Sequence, residues 1–221
     1  MIKCNHLIKE YGNGEKFYAL SDVSLEIEKG EFVAITGKSG SGKTTVMNMI
    51  GLIDNPTSGS VIIEDKDTSK LNGKEQANLR NQKLGYIFQS FYLEPSYSVY
   101  KNVEMPLLVA GVSEKERRER IEAVLEKVDL KSKIKESAKN LSGGEKQRVC
   151  IARALINEPE IILADEPCGN LDSENTHVIM GILTQLNQEG KTIVLITHSK
   201  EEAEWARRII NMKDGKIIEK M

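Results

Sequence analysis

Three stretches of this chain carry residue types that could do phosphate chemistry. Gly37-Lys38-Ser39-Gly40-Ser41-Gly42-Lys43-Thr44 fits the pattern G-x-x-x-x-G-K-[ST]. Its glycines let the backbone wrap around phosphates, and the N–H groups of the loop donate to them. The positive end of a following helix adds to the attraction. Lys43 can neutralise charge on β- and γ-phosphates, the Thr44 hydroxyl can ligate Mg²⁺, and Thr45 is counted with them as a nucleotide-binding residue. Residues 160–166 read as an apolar strand that ends in two acids. Asp165 is placed to join a metal shell and Glu166 to polarise an attacking water. The third stretch is Leu141-Ser142-Gly143-Gly144-Glu145. Ser142 and Glu145 have the spacing of a capping box that opens a helix, and the exposed N–H groups of such a helix end also bind anions. Both readings can hold together.

Positioning these groups requires strands that deliver them at their carboxyl ends. Residues 2–36 read as β-rich: 2–7 and 23–27 partly alternate, and 12–14 read as a turn. Residues 31–36 form a short apolar strand feeding the glycine loop, and 44–50 read as the helix that follows. That strand–loop–helix context separates a phosphate loop from an ordinary glycine turn. Further strands are expected at 60–63 and 84–88, the latter ending at Gln89. Between about 90 and 140 strand signals give way to helical ones. Ser113 can cap a helix with Glu114 and Glu116 in its first turn, and Ile121, Val124, Leu125 and Val128 recur along one face. A helical subdomain inserted into an α/β core is expected there. The core resumes with a strand at 160–165, a helix at 173–189 with Val178, Ile179, Ile182, Leu183 and Leu186 facing inward, and a strand at 191–196. Residues 208–212 and 216–219 read as a hairpin around Asp214-Gly215.

Composition sets the outer limits. The chain has 221 residues, enough for one α/β domain with a sizeable core. Its net charge of −2, with 29% charged residues of both signs interspersed, gives no general attraction to nucleic acid or anionic lipid. Apolar runs such as 161–164 and 193–196 are too short to span a bilayer, and the N-terminus carries no secretory apolar region. Cys4, Cys150 and Cys168 lack C-x-x-C spacing and read as reduced thiols.

Taken together, the phosphate loop, the acidic strand end and the pentapeptide at 141–145 resemble the nucleotide-binding subunit of ABC transporters. The run LSGGEKQRVCIARAL at 141–155 is similar to that family at every position, and the motifs follow one another in the family's order across essentially the whole chain. GYIFQ at 85–89, KNVEMPL at 101–107 and ADEPCGNLD at 164–172 bring it closer to the ATPases of macrolide-exporter, lipoprotein-release and antimicrobial-peptide-resistance systems. The resemblance implies a P-loop NTPase core of mostly parallel sheet, an N-terminal antiparallel part and the helical insert. The core would be 1–89 and 141–221, and the insert 90–140.

It further implies a Mg-dependent ATPase that binds ATP between two copies of itself and drives a separate integral-membrane permease. No nucleic-acid partner is expected. The chain would lie in the cytoplasm, held at the inner face of the cell membrane by that permease. In this reading Ser142, Gly143, Gly144 and Glu145 press on the γ-phosphate held by the opposite copy. Gln89 contacts Mg²⁺ and links the core to the insert, and His198 is the switch histidine near the γ-phosphate. Asp172 belongs to the loop that follows the acidic strand, although it could equally cap the next helix. Tyr11 is the aromatic expected to stack on adenine, with Phe17 or Tyr18 as alternatives. Cys168 stands where the family has Thr, Ser199 where it has Asp after the histidine, and 93–97 are more polar than usual.

Other readings use the same residues. A P-loop kinase has no use for the pentapeptide. ABC-type ATPases acting on nucleic acid or ribosomes carry long coiled coils or two modules, which this chain lacks. Force transmission to a membrane partner without solute movement stays open.

Overall fold

Strands of continuous apolar residues are stable only where both faces of a sheet are covered, and that is how the central strands are used. The computed structural model describes residues 1–12 and 16–218. In chain order the elements are β1 (Ile2–Tyr11), β2 (Phe17–Ile27), β3 (Phe32–Thr36), α1 (Lys43–Ile50), β4 (Ser58–Ile63), β5 (Lys66–Asp67), α2 (Gly73–Lys83) and β6 (Leu84–Phe88). Then come α3 (Val99–Val109), α4 (Glu114–Lys127), α5 (Gly143–Leu155), β7 (Ile161–Asp165), α6 (Ser173–Gln188), β8 (Thr192–Thr197), α7 (Lys200–Ala203), β9 (Arg208–Lys213) and β10 (Lys216–Ile218).

Two sheets form. One has the order β10-β9-β3-β8-β7-β6, parallel throughout except for the β10 edge, and the other is antiparallel in the order β2-β1-β4-β5. Successive side chains of the central strands point to opposite faces. Phe32, Ala34, Ile162, Ala164, Ile193 and Leu195 join a core with α3 to α6, whereas Val33, Ile35, Ile161, Leu163, Val194 and Ile196 join a second core with α1 and the antiparallel sheet. The fold is therefore α/β with a mostly parallel sheet and an antiparallel part built from the N-terminal strands.

Between β6 and β7 the chain is helical, with an isolated bridge from Ser98 to Ser137 tying the two ends of the 90–140 stretch. Ser113 caps α4 by accepting from the Glu116 amide, and Ile121, Val124, Leu125 and Val128 are buried as their spacing predicts. Val178 differs from expectation: it is 43% exposed, and the buried face of α6 runs through Ile179, Met180, Leu183 and Leu186, with Ile182 partly covered. The 100° step per residue puts 178 one position beyond the stripe that the sheet can cover. Helix α2 and the single turn α7 have no counterpart in the sequence reading. The turn read at 12–14 lies partly outside the described residues, as does Glu219. All three cysteines are free and buried, with burial pushing each thiol up to about 12.

Candidate functional site

Four neighbouring parallel strands, β3, β8, β7 and β6, end on the same edge of the sheet. They deliver, in that spatial order, the glycine loop after Thr36, His198 after Thr197, Asp165 with Glu166, and Gln89 after Phe88. Residues separated by up to about 160 positions in the chain are thus made neighbours by strand pairing alone.

The loop closes on α1 through Gly42, which adopts φ +97°. A Cβ there would meet the Ala19 carbonyl at 2.6 Å, so the position excludes any side chain as well as disfavouring the conformation. Among the described residues no side chain caps α1, and its first turn contains no acidic residue. Its leading N–H groups are left for a ligand. Lys43 is buried and folds back over the loop, its Nζ donating to the Gly37 carbonyl at 2.8 Å and the Lys38 carbonyl at 3.0 Å. A cavity of about 260 Å³ lies above, lined by Tyr11, Phe17 and Ala19, by residues 39–45, and by Glu166.

Thr44 Oγ1 donates to Asp165 Oδ1 at 3.5 Å. Burial raises the Asp165 pKa above the usual carboxylate value, and the Glu166 charge beside it adds to this, against the hydrogen bond from Thr44 and the charge of Lys43. A hydroxyl and two crowded carboxylates form an oxygen-rich set suited to a hard divalent cation. Glu166 adopts φ +45°, rare for a residue with a side chain. Its amide continues the pairing by donating to the Ile196 carbonyl at 2.9 Å, which turns its carboxylate toward His198 Nδ1 at 3.3 Å. The sequence reading assigned these two residues separately, and the contact between them comes from the β7–β8 register.

Beneath His198, Thr197 donates to the buried Glu202 carboxylate at 2.8 Å. Ser199 accepts from the Glu202 amide and caps α7. Serine and aspartate share that capping role, so the departure at 199 preserves the local turn.

At the start of α5, Ser142 and Glu145 form the expected capping box. Ser142 Oγ accepts from the Glu145 amide at 3.3 Å, Glu145 Oε2 accepts from the Ser142 amide at 2.8 Å, and Lys133 pairs with Glu145 at 2.7 Å. Ser142 and Gly143 are exposed. Gly144 is buried, and a Cβ on it would lie 1.9 Å from Asn175 Oδ1. Asn175 is in turn held by Asp172, which caps α6 by accepting from its amide at 2.8 Å. Asp172 therefore ties the loop after β7 to the start of α5.

Two sets of residues went unread in the sequence. Gln147, Cys150 and Arg153, spaced three apart on α5, donate to carbonyls around Gln89. Gln147 reaches Phe88 at 3.4 Å, Cys150 reaches Phe91 at 3.0 Å, and Arg153 reaches Phe91 at 2.7 Å and Tyr92 at 2.6 Å. Asn170 donates to the Gln89 carbonyl at 3.3 Å, and the Gln89 amide packs against Gly169. Their periodicity along the helix was the available signal. The other set is Lys9 and Asp54, which contact Tyr11. Nothing local marks Asp54, since it comes to Tyr11 from 43 residues away.

A model of the family described as "ABC transporter" matches residues 20–169. The chain belongs to the ABC transporter family, as an ATP-binding subunit. It is similar to the "Uncharacterized ABC transporter ATP-binding protein YknY" of Bacillus subtilis (strain 168), at 48% identity over 99% of this chain and 95% of that protein. It is also 48% identical to the "Macrolide export ATP-binding/permease protein MacB" of Aggregatibacter actinomycetemcomitans over 99% of its own length, but spans only 34% of that longer relative. Among solved structures it resembles the dimeric post-hydrolysis state of the ATP-binding cassette MJ0796 bound to ADP and Pi, with a TM-score of 0.92, 43% identity, and 99% and 97% of the two chains covered. Within this ABC ATP-binding subunit, none of the described helices is long and apolar enough to cross a membrane.

Proposed function

We propose that this subunit is a Mg-dependent ATPase that pairs head to tail with a second copy around two ATP molecules and drives a separate membrane permease. One observation carries the reading. The described residues lining the phosphate-loop cavity include none from 141–145, while Ser142 and Gly143 stand exposed at a different helix end. A chain that has both halves of an anion site, but not in one place, completes the site with another copy.

In this mechanism the loop amides and Lys43 hold the phosphates, and Tyr11 stacks on adenine. Tyr11 is favoured over Tyr18 because it lines the cavity, and over Phe17 because its orientation is fixed by hydrogen bonding. Thr44, Asp165 and Gln89 would hold Mg²⁺ directly or through water, and the ion would supply neutralisation of phosphate charge. Glu166 orients a water and takes its proton as the water oxygen bonds to the γ-phosphorus and the bond to the ADP oxygen breaks. His198, 3.3 Å from Glu166, fixes that carboxylate and senses the γ-phosphate. The 90–140 stretch acts as the helical insert. Its exposed Val109, with Tyr92, lines a groove of about 430 Å³, and these residues, together with the exposed Met105 and Leu108 of the same helix, form the permease docking face. Docking there would hold the chain at the inner face of the cell membrane. The resemblance to MacB, named for macrolide export, and to the lipoprotein-releasing system protein LolD of Aquifex aeolicus supports an export system for drug- or lipoprotein-type substrates.

Mixing inactive variants tests the shared site. Lys43→Ala and Ser142→Arg should each abolish turnover alone. In mixed dimers one site keeps an intact Lys43 facing an intact Ser142, so about a quarter of wild-type turnover should return if pairing is random. No recovery, when mixed dimers form and a covalently linked control turns over with one site, would refute the shared site.

A further inference from the structure

Tyr11 is held by a charged pair, one member from its own strand and the other from 43 residues further along the chain. Its hydroxyl donates to Asp54 Oδ2 at 2.8 Å. The other oxygen of Asp54 accepts from Lys9 Nζ at 2.6 Å, and the same ammonium donates to the Asn55 carbonyl at 2.7 Å. Lys9 is two residues from Tyr11 on the same strand, and its Nζ lies 5.0 Å from the centre of the tyrosine ring. Burial opposes the Asp54 charge, but hydrogen bonds from Lys9, Tyr11 and the Asn55 amide outweigh it and hold Asp54 below the usual carboxylate range.

Asp54 is also tied to the phosphate loop. The amides of Ile53 and Asp54 donate to the Asn48 carbonyl in the last turn of α1 at 2.9 and 3.2 Å. Helix α1 thus has the phosphate loop at its N-terminus and the anchor of Tyr11 just past its C-terminus. Phe17 pairs with Tyr11 across the strands and lines the same cavity, but has no group with which to make such a bond.

We propose that Asp54 and Lys9 are positioning residues for the nucleotide base, locking the Tyr11 ring into a fixed platform in register with the phosphate loop. The proposal rests on the reading of Tyr11 as the adenine-stacking residue. An aromatic side chain already ordered before binding saves the affinity otherwise lost in immobilising it, about two- to tenfold in Kd. Phosphate binding does not share this benefit, because among the described residues no hydrogen bond joins the loop amides or Lys43 to the side chains of Tyr11 or Asp54.

A double-mutant cycle on the full chain decides it, with calorimetric Kd values for ATP and for inorganic tripolyphosphate. Tyr11→Phe keeps the ring and loses the anchor, and Asp54→Ala removes the acceptor. Each should weaken ATP about two- to tenfold, the pair together no more than the stronger single change, and tripolyphosphate should bind all variants as it binds the wild type. Additive losses would overturn the anchor, as would unchanged ATP affinity in Asp54→Ala or an equal loss of tripolyphosphate affinity. Asp54→Asn replaces Asp54→Ala if the latter fails to fold. Tyr11→Ala separates the two levels of the argument. If it leaves ATP affinity unchanged, the stacking role falls and the proposal with it. If it weakens ATP while Tyr11→Phe and Asp54→Ala do not, stacking stands and the anchor falls.

Discussion

Two helix N-termini in this molecule, α1 with Gly42 as its N-cap and α5 with Gly143 as its first residue, are assigned to the same phosphates, yet they are built in opposite ways. Among the described residues helix α1 has no side-chain cap and no acid in its first turn. Helix α5 has a complete capping box, reinforced by Lys133. The first end lies in a cavity with its own lysine and can leave its amides for a ligand that binds directly to the same chain. The second end, in the proposed dimer, meets its phosphate only when another copy arrives. It must hold its shape alone, and Ser142 and Glu145 satisfy the orphan amides that would otherwise fray. An anion site that is always assembled can be left bare, whereas one assembled on demand carries its own cap.

The largest effect should come from the residue proposed to take the proton of the attacking water. Glu166→Gln keeps the shape but cannot take a proton. Turnover should fall by roughly 10²–10⁴ while ATP binding survives and an ATP-bound dimer accumulates on gel filtration. Near-wild-type turnover would remove Glu166 from the chemistry.

Replacing one glycine at each end sharpens the contrast. Gly42→Ala forces a side chain into φ +97° and within 2.6 Å of a backbone oxygen. It should cost about 1–3 kcal/mol in urea unfolding. A Cβ at Gly143 meets Leu171 at 3.5 Å and the Asn170 carbonyl at 4.0 Å, both ordinary van der Waals contacts, so Gly143→Ala should stay within about 0.5 kcal/mol of wild type. Equal costs at the two positions would mean that the ends are not built differently.

The smallest effect is the pH dependence of the α5 cap. Glu145 is held below its ordinary value of 4.5, first by Lys133 and then by the Ser142 amide. A lowered folded pKa means that its stabilisation is fully present above the unfolded value and fades as pH falls through the folded one. The stability gap between wild type and Glu145→Gln should therefore be constant near neutral pH and shrink on titration below about pH 4.5. A gap that persisted into acid would show that the carboxylate charge does not hold the cap.

The elements that were legible in advance are those with strong local signals. The phosphate loop, the apolar strands and the α4 stripe each declare themselves within a dozen residues. Helix α2 was missed because it buries only Leu79 and so shows no apolar period, although Asn72 and Glu75 do form a capping box at its start. Val178 was misread because apolar character was taken for burial, and single exposed apolar residues are ordinary.

The phosphate loop, the acids that follow an apolar strand, and the capped helix at 142–145 can all be read along the linear chain. Those patterns are local, because backbone conformation and capping depend on residues a few positions apart. Which of these groups meet is a property of the folded molecule. The fold set β3, β8, β7 and β6 side by side, turned Glu166 toward His198, brought Asp54 to Tyr11, and kept 141–145 away from the phosphate-loop cavity. Strand order and register are fixed by hydrogen bonds and packing between residues far apart in the chain, and no local period records them.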